Sequence, residues 1–347
     1  MYVFLVLLIV SFFGTMYALP HSIKKLKENN YLAKDMYKSD QPKIPTNAGM
    51  ILIFTSFISI SLVPLIVRFL SLFSNINFGL SDLSEENLAF LLVISIYALY
   101  GLVDDLVDIG RLMKLILPIT FAYPLISVVI PLDFWFPGLG NISLEENIIG
   151  DVTKSDIFRI IIIPIYVMVV ANLVNMHSGY NGLQSGLSII LITTLCIKSF
   201  FDDKLVNILP IGSILGAMLS FYIFNKYPSK VFEGNIGSLL FGSAIGAAIV
   251  IQEYWWFGFF ILIPHIFNFL LWLLWLYLMK KDPDNYLTGQ GVHQKFGIIR
   301  KDGTLRVPNR LTLKWIPNFY FRLNEKDSII IIYSITFVFC IMALIIF

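Results

Sequence analysis

The chain has 347 residues, of which 57% are hydrophobic and only 14% charged, with a mean hydropathy of +0.78. Soluble domains carry about 25% charged residues, so this composition excludes an ordinary soluble domain and points to an integral membrane protein in contact with membrane lipid. The net charge of +2 is too small to indicate a nucleic-acid partner, and the two cysteines, Cys196 and Cys340, sit in apolar runs that exclude a disulfide framework or a zinc site.

A helix needs about 17–25 predominantly apolar residues to cross a bilayer. Such stretches lie near residues 1–19, 48–72, 88–103, 112–131, 157–175, 184–200, 206–224, 236–252, 254–279 and 328–347. The first has no basic segment ahead of it, which predicts a spanning helix rather than a cleaved signal peptide. Together they predict an all-α polytopic membrane protein of about ten transmembrane helices, forming one domain over 1–347. The loops 20–47, 104–111, 176–183, 225–235 and 280–327, with the adjoining Lys114, hold 20 of the 25 lysines and arginines. The positive-inside rule puts these loops in the cytoplasm and both termini on the non-cytoplasmic side. The opposite loops carry acids, aromatic residues and the sequon Asn141-Ile142-Ser143.

Every polar cluster suited to chemistry falls on the cytoplasmic side. The first inside loop reads Lys34-Asp35-Met36-Tyr37-Lys38 and then Ile44-Pro45-Thr46-Asn47-Ala48-Gly49, where Pro and Gly suit a turn that shapes a pocket floor. Next comes Gly101-Leu102-Val103-Asp104-Asp105-Leu106-Val107-Asp108, three carboxylates between two apolar runs, an arrangement too costly to persist without a use. Asp104 and Asp108 share a helical face, and such oxygens suit a divalent cation that leaves room for phosphate.

Asn172 and Asn175 stand three apart at the end of a predicted helix, and Gly179 and Gly182 beyond them let backbone approach a ligand. His177 carries no assigned role. The stretch from Asn225 to Asn235 is a loop leading into a helix, whose backbone amides favour anions, and Phe232 beside Gly234 is placed to stack on a base. The last inside loop, with Val292-His293-Gln294 and Lys295, has the length and charge of a lid over a diphosphate. The more distal Arg306, Arg310 and Lys314 are expected at lipid headgroups.

Taken in order, these segments resemble the polyprenyl-phosphate N-acetylhexosamine-1-phosphate transferases, in particular their eukaryotic and archaeal dolichyl-phosphate branch. The resemblance runs from the first inside loop to the last. It implies transfer of GlcNAc-1-phosphate from UDP-GlcNAc to a polyprenyl (dolichyl) phosphate at the cytoplasmic face, with Mg²⁺ as cofactor and UMP released. This is the first membrane step in making a lipid-linked oligosaccharide for N-glycosylation. By family role, Asp104 and Asp105 organise the metal and the acceptor phosphate, Lys114 pairs with that phosphate, and Asn175 and Asn235 hold Mg²⁺. Lys34, Asp35, Met36, Thr46, Asn172, Gly179, Asn181 and Phe232 bind the donor, and Val292, His293 and Gln294 grip its diphosphate. The resemblance also implies a homodimer, in the cell membrane of an archaeon or bacterium or the endoplasmic reticulum of a eukaryote.

There are three departures from the family pattern. Asn235 stands where an aspartate is usual, Thr46 where an acid often follows Ile-Pro, and Val292 and Gln294 flank His293 in place of arginines. The first departure removes a negative charge and predicts weaker Mg²⁺ binding or slower turnover.

Two other classes fit less well. Asp104 to Asp108 also reads as the DDxxD motif of a membrane prenyltransferase, but the required second aspartate motif is matched only by Asp282-Pro283-Asp284. A transporter would place its polar residues near the bilayer midplane. Bacterial UDP-sugar:undecaprenyl-phosphate transferases remain an open alternative within the resemblance.

Overall fold

A computed structural model describes residues 2–73, 83–107, 109–110, 112–286 and 296–347. In chain order the elements are α1 (Tyr2–Glu28), the hairpin β1 (Leu32–Lys34) and β2 (Lys43–Pro45), α2 (Gly49–Phe73), α3 (Glu85–Val107) and α4 (Met113–Phe121). Two small ladders follow, β3 (Asp133–Phe136) with β4 (Gly140–Ser143) and β5 (Asn147–Ile149) with β6 (Val152–Thr153). The chain continues through α5 (Lys154–Ile157), α6 (Ile163–Met176), α7 (Leu183–Phe201), α8 (Ile211–Asn225), α9 (Gly234–Ile251), α10 (Trp255–Ile261) and α11 (Ile263–Lys281). It ends with α12 (Pro283–Tyr286), the ladder β7 (Ile298–Ile299) and β8 (Leu305–Arg306), α13 (Ile316–Tyr320) and α14 (Glu325–Ile346).

Each of the ten apolar stretches is helical, and among the described residues eight helices are long and apolar enough to cross a bilayer. The stretches at 112–131 and 206–224 give shorter helices, Ile116–Ser127 and Ile211–Asn225. Proline explains both. Pro118 and Pro124 interrupt the first, where α4 passes into a 3-10 turn, and α8 begins only after Pro210. The stretch at 254–279 breaks at Leu262, before Pro264, into α10 and α11.

The chain is organised around α9, the most enclosed span, with 89% of its apolar window buried. It packs against α3, α6, α7 and α2. Its Gly, Ser and Ala residues let neighbouring backbones come close, the usual device for packing helices in lipid. Against α3 the approach is so tight that a Cβ on Gly101 would lie 2.5 Å from the Asn235 carbonyl oxygen. A second cluster, with Tyr37, Tyr180, Trp275 and Trp315 at its centre, ties the β1–β2 hairpin to α11 and the segment before α14. The result brings the end of α3, the end of α6 and the start of α9 together at one end of the bundle.

Candidate active site

Asp105 belongs to the last turn of α3 and faces the first turn of α9. Its carboxylate accepts the backbone N–H groups of Asn235 (3.0 Å) and Ile236 (3.2 Å). A helix start leaves such donors unsatisfied and carries partial positive charge, so an acid there is stabilised. Gly234 makes the geometry feasible: its φ is +72°, and a Cβ would sit 2.8 Å from the Asp105 carboxylate.

Asp104 is buried, at 6% exposure. It accepts the Asn235 side-chain amide at 2.9 Å and the Ile109 N–H at 2.9 Å, and it pairs with the Lys114 ammonium at 2.8 Å.

The other segments are stitched to this core through backbone. Phe232 donates to the Pro45 carbonyl (2.8 Å), Ala48 to that of Phe232 (3.1 Å) and Gly49 to that of Glu233 (2.9 Å). Asn181 acts as a strut between three parts of the chain. Its side-chain amide donates to Asp35 (3.1 Å), its carbonyl oxygen accepts from the Ser229 N–H (2.9 Å), and its backbone N–H donates to Glu325 (2.6 Å). Lys38 bridges Glu325 at 2.5 Å and Asp35 at 3.3 Å. Asn175 accepts from the Ser238 hydroxyl at 2.8 Å.

These contacts enclose a cleft of about 330 Å³. Lys34, Asp35, Met36, Thr46, Asp105, Asn175, Gly179, Asn181, Phe232 and Asn235 all line it. Asp104 and Lys114 stand outside this lining, with Asp104 reaching the cleft through the Asn235 side chain. Asn172 also lies outside it, its amide donating to the Met168 carbonyl one turn back (2.9 Å). Val292, His293 and Gln294 lie outside the described residues, as do Asp108 and Lys295.

Sequence reasoning gave no role to Glu233, Ser238 or Gln184, which line the cleft, or to Glu325, which orders it from behind. Burial pushes the Glu233 carboxyl up to about 7, against the opposing hydrogen bond from the Asn225 amide (3.1 Å). Burial holds His177 well below the ordinary histidine range, with His265 and then Lys314 adding to the effect.

Lys314 differs from the lipid-facing expectation. Its ammonium turns inward and donates to the Ser178 carbonyl (2.9 Å), within 5.9 Å of the Tyr180 ring and 5.8 Å of the Trp315 ring. It stands above Gly179, whose φ of +109° and missing Cβ make room for it: a Cβ would lie 2.4 Å from the nitrogen. The carbonyl and the aromatic rings compensate the cation for leaving water. Its pKa is nevertheless pushed down to about 8 by burial.

Among the described residues no three His, Cys, Asp or Glu side chains converge to hold a metal by themselves. The cleft does offer hard oxygens from Asp105, Asn175 and Asn235. That donor set suits Mg²⁺, which binds through one or two carboxylates and takes further oxygens from substrate phosphates. At Asn235 the neutral amide donates to the Asp104 carboxylate, where an aspartate would set two carboxylates against each other.

The sequence pattern that defines glycosyl transferase family 4 matches residues 87–253, which hold α3, α9 and most of the cleft between them. A Sulfolobus acidocaldarius protein, named by inference as a UDP-N-acetylglucosamine–dolichyl-phosphate N-acetylglucosaminephosphotransferase, is 30% identical over 345 residues, covering 97% of this chain and 94% of the relative. A Saccharolobus solfataricus protein named in the same way is 27% identical over 270 residues, or 76% of each chain. A phospho-N-acetylmuramoyl-pentapeptide-transferase of Halalkalibacterium halodurans is 28% identical over 260 residues, 72% of this chain and 75% of the relative.

Proposed function

Since the chain belongs to glycosyl transferase family 4, the membrane-bound transferases that couple hexosamine 1-phosphates to polyprenyl phosphates, we propose that it transfers GlcNAc-1-phosphate from UDP-GlcNAc to a polyprenyl phosphate, dolichyl phosphate being the first candidate. The active site faces the cytoplasm in this reading, supported by the basic loops at that end of the bundle. The observation that carries it is convergence. Segments around residues 35, 46, 105, 175, 181 and 232–235 meet in one cleft, with a carboxylate locked onto the helix start as an oxygen donor beside the space for a diphosphate.

The reaction forms a bond between an acceptor phosphate oxygen and the sugar-bearing phosphorus of the donor. The bond from that phosphorus to the oxygen of UMP breaks, and UMP leaves with the electron pair. The nucleophile is already an anion, so positioning and charge compensation matter more than a strong base. Mg²⁺, held by Asp105, Asn175 and Asn235 together with substrate phosphates, would supply screening between the two anions. Lys114, fixed by Asp104, adds a cation beside the acceptor phosphate. Phe232 stacks on the uracil, and Gly179 lets backbone approach the nucleoside.

The test is transfer by the purified protein from UDP-GlcNAc labelled at the sugar-bearing phosphorus, with dolichyl or undecaprenyl phosphate and Mg²⁺. Label entering the lipid phase with stoichiometric UMP supports the reading. Unlabelled lipid with both acceptors overturns it.

A further inference from the structure

A groove of about 630 Å³ runs between one flank of α11 and the segment that leads through α13. It shares no wall residue with the candidate cleft. Phe267, Leu271, Leu274 and Leu278 recur every three or four residues and so form one helical stripe along it. The buried face of the same helix is a different one, carrying His265, Asn268 and Trp275. Phe319 adds to the apolar wall, and Phe267, Leu274 and Phe319 are all exposed. Among these apolar groups stands an exposed cation, Arg310. Its guanidinium donates to the Tyr320 hydroxyl (2.5 Å), and among the described residues no carboxylate pairs with it. The amides of Asn285 and Asn309 complete the polar part of the lining.

We propose that this groove is a binding site for an anionic phospholipid of the surrounding leaflet, with its phosphate on Arg310 and its acyl chains along the α11 stripe. The groove's two halves match the two halves of such a molecule. Arginine presents a planar fork of donors that suits phosphate oxygens, and here its charge is not already spent on a protein acid. Basic pockets beside membrane helices select anionic headgroups through that same charge. The stripe offers the apolar surface that chains cover, and the consecutive exposed aromatics Phe319, Tyr320 and Phe321 are the residues that settle at a membrane interface. A free phosphate ion would leave the stripe bare. The reacting lipid phosphate belongs in the cleft, with which this groove has no wall in common. The segment that walls the groove also carries Lys314, packed over Gly179, so the site lies at the cleft end of the bundle.

The experiment is native mass spectrometry of the delipidated, detergent-purified full chain, titrated with phosphatidylglycerol or phosphatidylcholine of the same acyl chains. The parent protein should bind phosphatidylglycerol about tenfold more tightly, the scale of one charge-assisted contact. Arg310→Gln should bring that preference to within about twofold of unity. Leu274→Trp, which fills the groove from an exposed position, should weaken both lipids, while Lys154→Gln at the opposite end should leave both unchanged. No preference in the parent protein, or a preference that survives Arg310→Gln, would overturn the proposal. So would equal losses in Lys154→Gln and Arg310→Gln, because the attraction would then be one of overall charge. Displacement of phosphatidylglycerol by an equimolar amount of dolichyl phosphate would overturn it as well, by giving the groove to a prenyl lipid.

Discussion

The two ends of this helical bundle both carry charges, yet they satisfy them differently. At the end with the β3–β6 ladders, ion pairs join near neighbours in sequence: Lys154 with Glu146, Arg159 with Asp156, Lys198 with Asp202. At the cleft end the polar partners come from far apart. Lys38 meets Glu325 across 287 residues, Asn181 meets Asp35 across 146, and Asp105 meets the start of α9 across 130. Local pairs settle themselves whatever the fold does. Long-range pairs form only if the whole bundle assembles in one register, so they define a pocket whose walls cannot drift independently. Such preorganisation is what a reaction between two anions requires.

The largest effect should come from breaking the pair that links α3 to α4. Asp104→Asn keeps the shape but removes the charged carboxylate 2.8 Å from the Lys114 ammonium, and label transfer should fall about 10³-fold, the scale set by loss of one preorganised electrostatic group. The thermal midpoint should fall as well, because Asp104 is a buried carboxylate paired with a lysine. Transfer within about tenfold of the parent protein would remove Asp104 from the machinery.

The comparison of ends is tested directly by two matched neutralisations. Glu325→Gln removes the charge that pairs with Lys38 and leaves one oxygen for the Asn181 N–H, at a residue 3% exposed. A cost of about 3 kcal/mol is expected, with KM for UDP-GlcNAc rising more than kcat falls. Glu146→Gln at the other end removes an exposed neighbour pair with Lys154 and should cost less than about 1 kcal/mol, with transfer unchanged. Equal costs in chemical denaturation would erase the distinction between the ends.

Much of the cleft end was legible in the sequence, because its residues cluster beside apolar runs where polar groups are costly. Asp104, Asp105 and Asn175 stood out locally, while Phe232 gained its role in the donor site only through the family resemblance. Glu325 did not: it reads as an ordinary acid in the first turn of the last helix, and only the fold brings it to Asn181. Lys314 misled for a similar reason. A lysine among basic residues near a membrane suggests headgroups, and nothing local announces that Gly179 leaves a space for it. The spans were visible by length and hydropathy, while their shortening at 112–131 and 206–224 follows from prolines that a window average smooths over.

At Asn235, where the resemblance leads to the expectation of an aspartate, the effect of that exchange should be intermediate. Asn235→Asp exchanges the 2.9 Å amide contact with Asp104 for two facing carboxylates. Without divalent cation the variant should melt below the parent. With Mg²⁺ it should recover, and its apparent Mg²⁺ affinity should rise about tenfold, equivalent to about 1.4 kcal/mol. A variant indifferent to Mg²⁺ would show that position 235 does not face a metal.

The smallest expected effect is a slope in pH. Lys314 has its pKa pushed down to about 8 from an ordinary 10.5 by burial. Below about pH 8 both folded and unfolded chains hold the proton, and the penalty for burying the cation is present in full. Between about 8 and 10.5 the folded chain has released the proton while the unfolded chain still binds it. The unfolded state then holds more protons, so stability rises with pH through that window. Tyrosines and other lysines titrate nearby, which makes the difference from Lys314→Met the informative quantity. The midpoint of the parent protein relative to that variant should climb from pH 8 to 10.5 and stay level from pH 6 to 7.5. A flat or falling difference above pH 8 would mean that Lys314 remains solvated rather than packed over Gly179 beside the cleft.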